Sequence, residues 1–444
     1  MTTLTCTQLL VGGRLAGPGS LTLAGETIAA VSSSPAGDAD VVLEGGVLTA
    51  GMVDLQLNGA VGVDFAQADA DGWRAVAAHV AAHGVTAFCP TFITAPVERQ
   101  RAAIAATADA MRALGAHRGA HAANAGAIGT NRGADGANAG ALGTNRGADG
   151  ANGGADDADR GADAPVARPI GAHLEGPFLS PLRPGAHDPS LLREPSAAAL
   201  DQLLDGADLS ALAFVTLAPE LPGAADAIAR LRAAGVQVSL GHSDATAEQT
   251  AAAARHGARL VTHLFNAQRP FNHREPGLPA RALVDELLVS GLIVDLHHVA
   301  ADAVRLAFAA APGRIALVSD AVAAAGMTGG AFKIGNVEAF AHPDGPPTLA
   351  DGTLAGSALH LDEAVRNCVA LGIDRATALT AATAVPAAAL GDASRGELAA
   401  GRRADLVWWD DDLRVRAVWI GGRRIDIDQP TAGDSPWPAS SSRA

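Results

Sequence analysis

Glu175, His242, His263 and Asp320 are the residues around which chemistry could be built in this chain. Each lies in or just after a short apolar run, at 169–176, 235–243, 258–266 and 314–320 respectively. Two neutral imidazoles and a carboxylate, with one position open to water, make a usual hydrolytic metal site, and zinc is its commonest occupant. An aspartate beside such a cation can take a proton from water whose pKa the cation has lowered. Taken singly, each residue has an ordinary explanation. A histidine after an apolar run is more often a hydrogen-bonded core or loop residue, and Glu175 could be a turn carboxylate. The constellation changes those odds, because the four residues end different runs of one set.

That set has eight members, the others lying at 51–59, 84–91, 211–219 and 291–298. Continuous apolar runs read as strands buried on both faces. Most are separated by Ala/Leu-rich segments long enough for a helix, which implies parallel βα units. Eight such units predict a (β/α)8 TIM-type barrel over 51–390, with catalytic groups at the C-terminal ends of its strands. The chain ends read differently. Short β-like pieces at 9–11, 21–23, 27–31 and 41–43 match others at 404–409 and 415–420, separated by Gly/Pro/Ser turns. Residues 1–50 and 391–430 are therefore expected to pack together as a small β-sandwich domain, leaving 431–444 as a flexible tail.

One segment stands apart. Residues 124–137 are followed by a near copy at 138–151, inside a Gly/Ala/Asn/Asp-rich tract at 117–167 with almost no large apolar side chains. Such a tract cannot bury enough surface to offset its ordering entropy, and it reads as a disordered insertion within the barrel. A net charge of −15 argues against a nucleic-acid partner, though a small anionic substrate needs only a few local cations. No apolar run reaches membrane-spanning length, and the N-terminus has no signal-peptide pattern. Cys6, Cys89 and Cys368 are too widely separated for a disulfide framework or a metal knuckle. The expected compartment is the cytoplasm, with no membrane partner.

Seven blocks, in order, resemble the N-acetylglucosamine-6-phosphate deacetylase family of the amidohydrolase superfamily. They are His173-Leu-Glu-Gly-Pro-Phe178, Gly185-Ala-His-Asp-Pro189, Gly241-His-Ser-Asp-Ala-Thr246, Thr262-His-Leu-Phe-Asn-Ala267, Arg274-Glu-Pro-Gly277, Val318-Ser-Asp-Ala321 and Leu354-Ala-Gly-Ser-Ala358. The similarity covers nearly the whole chain apart from the repeat tract. It implies Glu175, His242 and His263 as metal ligands and Asp320 as the base that activates water and then protonates the leaving amine. It implies His187 as the group that polarises the acetyl carbonyl and stabilises the oxyanion. A substrate phosphate would meet Asn266, the backbone at Ala267, Arg274 and His298. In the family the arginine can come from a neighbouring subunit, so the resemblance also implies a homodimer with Arg274 crossing the interface.

The chain departs from the wider pattern in two places. Many amidohydrolases carry His-x-His at the end of the first strand, where it helps hold a second metal; here the matching residues are Gln56 and Asn58. Neutral amides are weak ligands for a transition metal, so one divalent ion per subunit is expected, with Gln56 and Asn58 assigned to substrate binding. Zinc is the default, and iron, cobalt or manganese would support the same chemistry. The second departure, Asp295-Leu-His-His298, leaves open whether His297 or His298 reaches the phosphate, with His298 favoured. His173, two residues before Glu175, faces the same side of an extended strand and reads as structural. The expected reaction is hydrolysis of N-acetylglucosamine 6-phosphate in amino-sugar catabolism or recycling. Alternatives are N-acetylgalactosamine 6-phosphate or another acylamino sugar as substrate, or a non-catalytic sugar-phosphate-binding barrel. Cyclic-amide hydrolases fit less well, because they depend on His-x-His and a carboxylated lysine, and Lys333, the one lysine, follows the last strand.

Overall fold

In the computed structural model, which describes residues 1–115, 164–343 and 345–427, the apolar runs become strands: β1 Met52–Leu57, β2 Val85–Ile93, β3 Ala172–Glu175, β4 Leu212–Leu217, β5 Gln237–Leu240, β6 Leu260–Val261, β7 Val289–Leu292 and β8 Ile315–Leu317. Each pairs in parallel with the next. The barrel closes where β8 returns to β1. There Leu57 and Ala321 form a single parallel bridge. It is flanked by two hydrogen bonds, Asp320 N–H to Gln56 O at 2.9 Å and Asn58 N–H to Ala321 O at 2.7 Å. The (β/α)8 expectation is borne out.

The helices between strands bury one face each. In α1 (Ala70–Ala82) the buried residues Trp73, Val76, Ala77, Val80 and Ala81 follow the i, i+3, i+4, i+7, i+8 spacing of an apolar stripe, and the Asp69 carboxylate caps the helix by accepting from Gly72 N–H. The outer ring continues with α2 (Val97–Ala113), α3 (Ala197–Leu204), α4 (Ala224–Ala233), α5 (Ala247–His256), α6 (Gly277–Val284), α7 (Ala301–Ala310) and α8 (Leu361–Ala370). The Thr246–Gln249 capping box starts α5, and Gly257, with φ of 118°, ends it in a left-handed conformation. Among the described residues no helix is long and apolar enough to cross a membrane.

Both chain ends join one β-structure, as the sequence leads one to expect. A four-stranded sheet comes from the first 43 residues. A six-stranded sheet orders Arg423–Asp426, Val415–Ile420, Leu406–Trp409, Val47–Ala50, Leu9–Val11 and Arg14–Ala16. Val47–Ala50 runs antiparallel to Leu406–Trp409, so residues some 360 positions apart share a ladder. Leu4, Leu21, Ile28, Leu48, Leu406 and Trp419 fill the core between the sheets.

The structure adds three corrections. The run at 291–298 yields a strand that begins earlier, at Val289, and stops at Leu292; Ile293 and Val294 stay buried, but the positive φ of Leu296 turns the chain out of the ladder. The C-terminal limit of the expected 117–167 insertion is too late, because Val166 and Ala167 are core residues and Ala167 N–H bonds to Ala77 O. The rest of that tract, 117–163, and the expected tail at 431–444 lie outside the described residues. Thirdly, a small antiparallel sheet of Gly330–Ile334, Val337–His342 and Gly345–Thr348 follows β8 unannounced, although the Gly335-Asn336 pair between its first two strands is a hairpin-turn signal.

Trp419, 2% exposed between the two terminal sheets, sets the first test. Trp419→Ala should lower unfolding stability by about 3–5 kcal/mol in urea denaturation, and a loss near zero would mean that the two chain ends do not depend on their shared core.

Candidate active site

Glu175 ends β3, while His242 and His263 lie just past β5 and β6, so three strands of one parallel barrel deliver all three to one mouth. Glu175 Oε1 lies 3.2 Å from His242 Nε2 and 2.9 Å from His263 Nε2, and the two Nε2 atoms are 3.1 Å apart. All three side chains are buried. His242 Nδ1 is 3.0 Å from the Arg183 carbonyl. A carbonyl only accepts, so Nδ1 carries the proton and Nε2 presents a lone pair to the carboxylate. Two lone-pair atoms facing one another out of water are unfavourable unless a cation lies between them. The donor set therefore fits a divalent ion, with Oε1 and the two Nε2 atoms as its ligating atoms.

Asp320 follows β8 beside this trio. Its Oδ1 accepts from Gln56 Nε2 and from Asn58 Nδ2, both at 2.9 Å, and Gln56 Nε2 is also 3.2 Å from Glu175 Oε1. One β1 amide thus bridges two carboxylates. Burial, and after it the negative charge of Glu175, raises the Asp320 carboxyl far above the usual aspartate range. A layer below, the buried carboxylate of Asp54 accepts from the Ser319 hydroxyl and backbone N–H, joining β1 to β8 directly under the site. Asp320, His242 and His263 all have positive φ, at 48°, 45° and 28°, a region that residues with a Cβ seldom occupy.

His187 enters from the 185–189 loop. Its Nδ1 accepts the Thr94 backbone N–H at 3.2 Å, so the proton of the neutral ring sits on Nε2, which is 3.8 Å from Glu175 Oε2. Burial, reinforced by His242, lowers the pKa of His187 to about 3. The ring is thereby a neutral hydrogen-bond donor aimed at the site. Asn58, Glu175, His187, His242, His263 and Asp320 share the wall of a cavity of about 310 Å³, and Asn266, Ala267 and His298 line it too.

The remaining predicted residues divide. His298 lines the cavity with its Nδ1 held by Asp295 Oδ2 at 2.6 Å, whereas His297 is exposed and does not. Gln56 is absent from the cavity wall, its amide being directed at the two carboxylates. Arg274 is exposed and also outside the cavity of its own chain. His173 lies inside the barrel with Thr91 on Nδ1 at 3.1 Å and Thr216 on Nε2 at 2.7 Å; both nitrogens are occupied by hydroxyls, and its role is structural. Sequence reasoning missed Thr94, which sets the His187 tautomer. It also missed Ile334 and Val337, which carry the unannounced hairpin into the cavity wall.

Comparison with known proteins agrees with this geometry. The amidohydrolase family profile matches residues 47–425. An N-acetylgalactosamine-6-phosphate deacetylase of Escherichia coli O157:H7 is 35% identical over 405 residues, 91% of this chain and 93% of that protein. An N-acetylglucosamine-6-phosphate deacetylase of Bos taurus is 35% identical over 394 residues, covering 86% and 84%. A Mycobacterium smegmatis N-acetyl-D-glucosamine-6-phosphate deacetylase variant, solved in complex with N-acetyl-D-glucosamine-6-phosphate, superposes with a TM-score of 0.80 at 33% identity, over 95% of this chain and 98% of that one. Amidohydrolases are metal-dependent, in keeping with the clustered Glu175, His242 and His263. The chain belongs to the amidohydrolase family, and within it to the N-acetylglucosamine-6-phosphate deacetylase branch.

Proposed function

We propose that this enzyme hydrolyses the acetamide of N-acetyl-D-glucosamine 6-phosphate, giving acetate and D-glucosamine 6-phosphate, in amino-sugar catabolism or recycling. The observation that carries the reading is the convergence of a neutral Nε2–H donor (His187), a raised carboxylate (Asp320) and the Glu175/His242/His263 donor set on one cavity. Relatives at 35% identity that are themselves amino-sugar phosphate deacetylases support it.

Glu175, His242 and His263 would hold one divalent ion, zinc being the usual partner of such donors, which supplies Lewis acidity to the amide carbonyl and to the attacking water. Asp320 takes the proton of that water. Because Oδ1 already accepts two amide N–H bonds, Oδ2 is the oxygen free to carry it. The same oxygen then delivers the proton to the leaving nitrogen, so the sugar amine departs neutral. His187 Nε2–H donates to the carbonyl oxygen as charge builds there, and being neutral beforehand it adds no charge repulsion toward an ion held nearby. Gln56 and Asn58 keep Asp320 in line. Asn266, the Ala267 backbone and His298 receive the phosphate, with Asp295 fixing the His298 ring. Arg274, exposed on its own chain, would complete the phosphate site of a neighbouring subunit in a homodimer. Cys6, Cys89 and Cys368 are buried thiols, which suits a reducing, cytoplasmic setting.

A second reading has a specific support: the Escherichia coli O157:H7 relative acts, by its name, on N-acetylgalactosamine 6-phosphate. Acetate release from both epimers by purified protein of known metal content decides between them by kcat/KM. Asp320→Asn should lower kcat by about 10²–10⁴-fold with metal retained, and unaltered turnover would remove Asp320 from the reaction.

The pH profile follows from the raised Asp320 carboxyl. The base works only when ionised, so kcat/KM should fall as acid protonates it. The acid limb should lie above the ordinary aspartate value of about 4, while a bound cation draws it down from about 7. A profile still flat at pH 4 would contradict this. For the subunit contact, Arg274→Ala should raise KM roughly tenfold or more, the loss of one charge-assisted phosphate contact. It should leave kcat within about twofold, and sedimentation should show a dimer; an unchanged KM would place the arginine outside the phosphate site.

A further inference from the structure

Among the described residues a second group of metal-ligand type lies outside the catalytic cavity. His79 and His83 stand one helical turn apart, i and i+4, at the end of α1, and His360 is the residue that precedes α8. Their donor atoms all lie within 4.8 Å of one another. His79 Nε2 is 2.9 Å from His360 Nε2, close to the roughly 3.3 Å that separates ligands on a tetrahedral zinc with 2.0–2.1 Å bonds. The His83 ring stacks on His360 with centroids 3.7 Å apart and planes 17° from parallel, so one of the two rings must turn about its Cβ–Cγ bond to bring both Nε2 lone pairs onto one ion.

The surroundings point the same way. His83 Nδ1 is 3.1 Å from Asp362 Oδ1, and Asp362 Oδ2 accepts from Arg366 at 2.7 Å. A carboxylate on one ring nitrogen fixes the tautomer and leaves Nε2 with its lone pair, the arrangement that supports histidine ligands in metal proteins. All three side chains are half-buried rather than sealed, so an ion can reach them. A cavity of about 10 Å³ beside the rings has the room of about one water, which would serve as a fourth ligand.

We infer that His79, His83 and His360 form a second, structural metal site that takes a borderline divalent ion such as zinc and ties α1 to α8. These are the helices that follow β1 and β8, the two strands that meet at the closing seam of the barrel. The site thus braces the junction that carries Gln56 and Asn58 on one side and Asp320 on the other. It is separate from the Glu175 cluster and does not rest on the reaction assigned there.

The test uses the full-length protein, stripped with chelator, equilibrated with zinc, desalted and analysed for zinc per chain. His79→Gln and His360→Gln should each carry one zinc fewer than the parent, with unchanged far-ultraviolet circular dichroism, whereas Glu175→Gln should keep the zinc that they lose. Equal zinc in the parent and both histidine variants overturns the site. Should either variant fail to fold, anomalous diffraction at the zinc edge from zinc-soaked crystals of the parent replaces it. A peak between the three rings is the expected result, and a map without one overturns the proposal.

Discussion

Two carboxylates, Glu175 and Asp320, are held out of water at the mouth of this barrel, and the arrangement around them answers the cost of burying charge. The Gln56 amide donates to both, Asn58 adds a second bond to Asp320, and two imidazole Nε2 atoms face Glu175. The lone pair that His242 must present, once Arg183 O has claimed its other nitrogen, suits this cluster to a cation. The unequal surroundings of the two acids also separate their tasks. Glu175 sits among imidazoles that favour its charge, while Asp320, pushed upward by burial and by Glu175, is suited to exchange a proton.

The barrel supplies this cluster with precision at the expense of backbone strain. His242, His263 and Asp320 leave their strands in left-handed conformations, each costing on the order of 1–3 kcal/mol. That cost is offset by the parallel ladders beneath and by a core in which whole strands such as β4 are buried. Closure is the thinnest part of the ladder, a single bridge and its flanking bonds. The Asp54–Ser319 contact lies under it, and the His79/His83/His360 group lies outside it. The Asp54–Ser319 contact thus reinforces β1 and β8 where they meet through a single bridge.

Replacement of the first-strand histidines by Gln56 and Asn58 alters what β1 contributes. Imidazoles there would add ligands; primary amides add donors. In this chain the β1 amides orient the acids through hydrogen bonds.

Much of this was legible in the sequence. Strands buried on both faces require continuous apolar runs, so the eight runs marked the barrel, and the polar residues ending them marked its mouth. Glu175, His242, His263 and Asp320 could be named because in a parallel barrel strand order alone brings strand ends together. Less was legible where backbone irregularity intervened: the 330–348 hairpin carries only a Gly-Asn signal, and Val289 opens a strand ahead of its most apolar stretch. Three things were decided only by the tertiary structure. Thr94 fixes the His187 proton from 93 positions away. Gln56 bridges acids 119 and 264 positions distant. His360 meets His79 across 281 residues. Local spacing records which face a residue occupies; it does not record which atoms the closed barrel brings within hydrogen-bonding distance, and those contacts set tautomer, charge and ligand capacity.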